Sequence, residues 1–141
     1  MSAEDRWQFL VDLDDKYLKG GVILSEWAAK IVREADIAFI GKAHLATIFL
    51  CTAGIETQLR SEYGKESDRL FNLIESSDLS EGLKRDIHMM RKYRNAWVHI
   101  KSPWDDRIPL EQEATLDNEL SEKAELAIDL LKQVIYWNQW I

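Results

Sequence analysis

Only two prolines interrupt this chain, and both fall in one short stretch, PWDDRIP, at Pro103 and Pro109. Proline removes a backbone donor and breaks a helix from within, so its scarcity leaves every other segment free to be helical. The apolar spacing uses that freedom, recurring mostly at three- and four-residue steps. A first helix is expected from Ala3 to Leu18, stopped by Gly20-Gly21. A second starts after Ser25, a capping residue followed by an acid, and carries Trp27, Ile31, Ala35, Ala38 and Phe39 as its inner stripe. Gly41 is a point where the chain breaks or bends. A third runs from Ala43 to Tyr63 with Leu45, Ile48, Phe49, Thr52, Ile55 and Leu59 buried, and ends at Gly64. A short helix fits Ser67 to Glu75. Ser80 caps the next, which ends near Ile100. PWDDRIP reads as an ordered loop, and a last helix spans Glu113 to Trp140. No repeat and no convincing strand pattern occurs. These elements predict an all-α antiparallel helical bundle of about five or six helices. The expected organisation is a single domain over 1–141, with an N-terminal helical extension over 1–21 and a core bundle over 25–140.

The composition suits such a bundle. Of the 141 residues, 46% are apolar, enough for a core without disulfides. Six tryptophans favour a packed core or a subunit interface over disorder. Cys51 is the single cysteine, so no intrachain disulfide forms, and its simplest place is in the core. The opening MSAEDRWQFL is charged and has no long apolar run, so neither a signal peptide nor a membrane span is expected and the reading is cytoplasmic. No CxxC, HExxH, Walker-type or GxGxxG pattern appears, so no metal site and no cofactor is expected.

The net charge of −7 opposes broad coating by nucleic acid. The charge is uneven, however. From Lys84 to Lys101 there are six basic residues (Lys84, Arg85, Arg91, Lys92, Arg94, Lys101) against the one acid Asp86. From Asp105 to Asp129 nine acids face only Arg107 and Lys123. The cationic charge is therefore gathered on the predicted Ser80–Ile100 helix. A solvated helix face explains such a run as readily as a ligand does.

On that helix Leu83, Ile87, Met90, Trp97 and Val98 fall on one face, at about 100° per residue, and Arg94 falls among them. An arginine there must find an anion or acceptors for its head. A bland solution is a pair with a carboxylate on the third helix, such as Glu56. His88, Arg91, Asn95 and His99 make a second stripe, with Asn95 and His99 one turn apart. For His99 the bland reading is a C-terminal histidine against the helix dipole. Taken together, Arg94, Asn95 and His99 suit one chemistry. Imidazole serves as general acid or base, guanidinium holds a phosphate and its developing charge, and an amide orients either. RNA supplies its own nucleophile, the 2′-hydroxyl.

RNAWVH, at Arg94-Asn95 through His99, resembles the signature of HEPN domains: an arginine, a polar residue, three further residues and a histidine near a helix end. ADIAFIGKAHLATIFLCTAGIETQL resembles the family's earlier helix pair, and LFNLIESSDLSEGLKRDIHMMRKYRNAWVHI resembles the helix that leads into its motif. The resemblance covers about Ser25 to Trp140. It implies an all-α bundle that forms a homodimer with facing motifs. For active members it implies a metal-independent endoribonuclease of toxin–antitoxin systems, phage defence or RNA processing. By position, His99 is then the general acid/base, Arg94 the phosphate and transition-state contact, and Asn95 the orienting residue. Arg91, His88 and Lys101 lie outside the motif and become candidate RNA contacts. The residue two positions after His99 is Lys101, which departs from the subgroup paired with nucleotidyltransferase antitoxins, where a tyrosine stands. Some members of the family bind RNA, a nucleotide or a protein partner, such as an antitoxin or defence protein, without cutting. A plain helical adaptor using Trp137 and Trp140 is a third reading.

Overall fold

A computed structural model describes residues 1–140, and among them the fold is all-α. Seven helices follow in order: α1 (Ala3–Tyr17), α2 (Glu26–Ile40), α3 (His44–Tyr63), α4 (Leu70–Ser76), α5 (Glu81–Val98), α6 (Arg107–Glu111) and α7 (Glu113–Ile135). The count exceeds the expected five or six because PWDDRIP is not simply a loop. Its second half forms α6, with Pro109 as the third helical residue. No intrahelical partner exists for an N–H in the first turn, so proline costs no hydrogen bond there.

Side chains fix three helix starts, two of which, at Ser25 and Ser80, the sequence marked. Ser2 and Asp5 form a reciprocal capping box on α1. Ser25 accepts from the Ala28 N–H and Ser80 from the Leu83 N–H. Gly41 ends α2 and Gly64 ends α3. The α2–α3 turn places Lys42 at φ 59°, a left-handed conformation that favours glycine.

Helix α3 is the central element, packed along both α2 and α7. It buries Ile48, Cys51, Ile55 and Leu59, together with Thr47 and Thr52, whose hydroxyls donate to the carbonyls of Ala43 and Ile48 at 2.8 Å. Leu45 and Phe49, expected inside, are only half-buried. Gly54 permits the close approach of the three helices: a Cβ there would lie 2.9 Å from Leu131 Cδ1 and 3.4 Å from Ile31 Cγ2. The inner stripe of α2 is Ala28, Val32, Ala35 and Phe39; Ala35 and Phe39 are buried as expected, Ile31 and Ala38 are half-buried, and Trp27 is 77% exposed. Ile31 faces Gly54 of α3, and the large indole is left on the surface.

Helix α1 adds Leu10 and Leu13 to the core. It is tied down by Arg6, which is 3% exposed, donates to the Phe39 carbonyl (3.1 Å) and to Ser121 Oγ (3.4 Å), and lies over the Phe39 ring. A second buried cation, Lys132 of α7, sits 3.4 Å from Asp14 and 3.2 Å from Asp36, joining three helices. Burial pushes the Asp36 carboxyl up, against the opposing pull of Lys132. Helix α7 stops at Ile135 rather than near Trp140. Beyond it the chain turns back, and Trp140 and Gly21 exchange two backbone hydrogen bonds of 2.8 and 3.1 Å. Gln139 Oε1 accepts from the Lys19 and Gly20 N–H groups, replacing the helix that the pattern extrapolated. No helix among the described residues is long and apolar enough to cross a membrane.

Candidate functional site

Helix α5 seats itself on the core through Leu83, Ile87 and Met90. Continuing that stripe by one turn brings Arg94, which is half-buried, and then Trp97, half-buried and packed against the core. Val98, expected on the same face, is the last helical residue and is exposed. Helix α3 lies across from Arg94, and the α3–α4 connection closes the third side. That connection is held by the Lys65 N–H on Asp68 Oδ2 (2.8 Å) and by Arg60 Nη2 on the Asp68 carbonyl (2.6 Å).

The result is a groove of about 490 Å³ between α3, α4 and α5. Four arginines line it, Arg60, Arg69, Arg91 and Arg94, together with Asn95, Phe71 and the acids Glu56 and Asp68. The Glu56–Arg94 pair considered from the sequence does not form. Glu56 lies instead 3.8 Å from Arg60, one turn along the same helix, a half-exposed pair of small energetic weight. Arg69, Arg91 and Arg94 make no ion pair with any carboxylate among the described residues. Arg94 spends its Nε–H on Asn95 Oδ1 at 3.0 Å, leaving its two terminal nitrogens for a ligand. A groove whose cations outnumber its acids and are mostly unneutralised attracts anions, and guanidinium forks match phosphate oxygens.

Arg91, Arg94 and Asn95 are thus brought together. His88 is their neighbour in a different role. Its Nε2 lies 2.7 Å from Glu75 Oε1, and Arg91 Nε donates to its Nδ1 at 3.4 Å. With Nδ1 accepting, the ring proton sits on Nε2 and is given to Glu75, so both nitrogens are engaged within the chain. His99 is the C-cap of α5 and is exposed, its backbone N–H bonded to the Asn95 carbonyl at 2.9 Å; it does not line the groove of its own chain. Lys101 lines a separate, mostly apolar pocket of about 560 Å³ between the end of α5, α6 and α7. Val98 and Ile100, on either side of His99, are exposed, as are Trp104, Ile108 and Leu110 in the segment that follows. Among the described residues no three His, Cys, Asp or Glu side chains are grouped to hold a metal ion.

Arg60 and Arg69 were not singled out from the sequence. Arg60 carries a local signal, four residues after Glu56 on the same helix. Arg69, ahead of a short helix, carries none; only the packing of α4 on α3 and α5 places it in the groove. No protein-family model, curated protein or solved structure matches this chain.

Proposed function

We propose that this chain is an endoribonuclease of the HEPN kind, working as a homodimer in the cytoplasm as a toxin or phage-defence effector restrained by a protein partner. The observation that carries this reading is Arg94: a guanidinium without a carboxylate, fixed by Asn95 and facing a groove with two further unneutralised arginines. A buried-side arginine kept free of acids is a poor stabiliser and a good phosphate ligand. In the reaction, the 2′-hydroxyl loses its proton to an imidazole and its oxygen bonds to the adjacent phosphorus. The P–O5′ bond breaks, and the leaving oxygen is protonated by a second acid. The products are a 2′,3′-cyclic phosphate and a 5′-hydroxyl end. Arg94 takes up the charge that grows on the phosphoryl oxygens.

A single chain offers His99 outside its own groove. The exposed Val98 and Ile100 on either side of His99 support a two-fold partner, which would cover them and bring two Arg94 and two His99 side chains to one cleft. The test is cleavage of a single-stranded RNA in excess EDTA, with the product ends analysed. Cyclic-phosphate products, and at least about a hundredfold loss on His99→Ala, are expected. Products with 5′-phosphates that vanish with EDTA refute the mechanism. A non-catalytic RNA-binding module is the second reading, favoured by the absence of His99 from the lining of the groove in its own chain. It predicts binding that depends on Arg94 with no cleavage under any condition.

A further inference from the structure

Phe71, the second residue of α4, is 50% exposed, and it lies where two depressions meet. One is the arginine groove. The other, of about 370 Å³, runs along α5 and carries Lys84, Arg85 and Lys92 beside the acids Glu75 and Glu81, so that its cations, Arg91 included, outnumber its acids. Phe71 and Arg91 are the two residues common to both linings. The ring is held in place: Arg91 stands 5.6 Å from its centroid, and the His88 imidazole 5.1 Å away at 39°. His88 is fixed in turn by Glu75 and Arg91, so the aromatic is presented on a braced frame.

Scattered exposed apolar side chains are common and need no explanation. An exposed ring in the middle of a cationic track is a different case, because the two features together match an unpaired nucleotide. Phosphates follow the cations and a base lies on the ring. A duplex keeps its bases stacked on each other and out of reach of such a ring. The geometry points to Phe71 as a base-stacking platform that selects single-stranded RNA, with Arg69, Arg91 and Arg94 holding the phosphates that flank the stacked base. The choice of RNA over another polyanion rests on the ribonuclease reading above. Charge and the aromatic together favour it over an acidic or phosphorylated peptide, which would use the arginines and ignore the ring.

The test is fluorescence anisotropy with the full chain carrying His99→Ala, so that the probe survives. The probes are a labelled oligouridine of about a dozen nucleotides, an abasic strand with the same number of phosphates, an RNA duplex of that length and a phosphopeptide of equal charge. Oligouridine should bind about tenfold more tightly than the abasic strand. Phe71→Leu, which keeps apolar bulk and loses the π-face, should erase that difference while leaving abasic binding unchanged. Phe71→Trp should preserve it. The platform is overturned if Phe71→Leu leaves the discrimination intact, if the abasic strand binds as tightly as oligouridine, or if the duplex or the phosphopeptide binds more tightly. Cleavage is scored separately on the chain with His99 intact. Phe71-dependent binding without cleavage removes the ribonuclease reading and leaves the platform standing. Cleavage with Phe71-independent binding does the reverse.

Discussion

Arg6 and Arg94 carry one side chain into opposite circumstances. Arg6 is buried without a carboxylate, but it closes a carbonyl at the negative end of α2 and covers the Phe39 ring. Arg94 is half-exposed and bound only to Asn95. Arg6→Ala should therefore cost about 2–3 kcal/mol, read from the urea midpoint. Arg94→Ala should stay within about 0.5 kcal/mol of the parent while abolishing cleavage. The reverse ranking would show that the structural arginine had been misplaced. His44 gives a pH-dependent outcome. Burial and the nearby Arg6 hold its imidazole below the usual histidine range. A depressed folded value favours the neutral ring, so the stability it supports is present above the ordinary value of 6.5 and is lost as pH falls through the folded value. Between pH 7 and pH 5, about the span in which histidine titrates, His44→Gln should lose less melting temperature than the parent. Equal losses in both would remove the assignment. At this scale the sequence disclosed part of the site. Arg91, Arg94 and Asn95 share one stretch of helix and could be placed by angle. Arg69 joins them from another element, through packing that no local pattern encodes, and Arg6 gives no sign of burial among its charged neighbours.

At the scale of elements, legibility follows the strength of local signals. Helices α2, α3 and α5 begin or end at Ser25, Ser80, Gly41 and Gly64, whose chemistry is local and therefore readable. Helix α6 was hidden because Pro109 reads as a breaker unless it falls in a first turn. The end of α7 was hidden because Tyr136 to Trp140 contain no glycine or proline to mark a stop, while the backbone turns to meet Gly21. The left-handed Lys42 in the α2–α3 turn invites a stabilising change. Lys42→Gly should add about 0.5 kcal/mol, the relief of a strained φ less the entropy that glycine loses on folding. Gly54→Ala sets helix propensity against packing. Alanine gains about 1 kcal/mol in propensity, but its Cβ would press on a Leu131 side chain that is fully buried, and overpacking costs about 1–3 kcal/mol. The net expectation is a loss of about 1 kcal/mol in denaturant unfolding, and a gain would mean that α7 can shift away from α3 without penalty.

For the molecule as a whole, a net charge of −7 and a local groove of arginines act at different ranges. Binding of single-stranded RNA through Arg69, Arg91 and Arg94 should weaken with salt at a log–log slope of about −2, and Arg91→Ala should flatten it by about 0.7. A slope near zero would deny phosphate contacts there. Alkaline pH tests the frame instead. Tyr17 donates to Asp129, Tyr63 to Asp78 and Tyr136 to Asp14. Burial, aided by these carboxylates, raises all three phenols, Tyr17 and Tyr63 to about 12. Raised values mean that the stability they supply is whole below the ordinary value of 10 and drains away as pH climbs through about 12. The melting temperature should fall over that interval together with the rise of phenolate absorbance. Cys51 has a further consequence. It is the one thiol of the chain, it is sealed beneath α2 and α7 on the central helix, and its burial also raises its pKa. A thiol reagent can reach it only during the rare moments when those helices part from α3, so the labelling rate under native conditions counts those openings. The single cysteine therefore works as a clock on the opening of the bundle, and a ligand that binds the closed form should slow it in proportion to its occupancy.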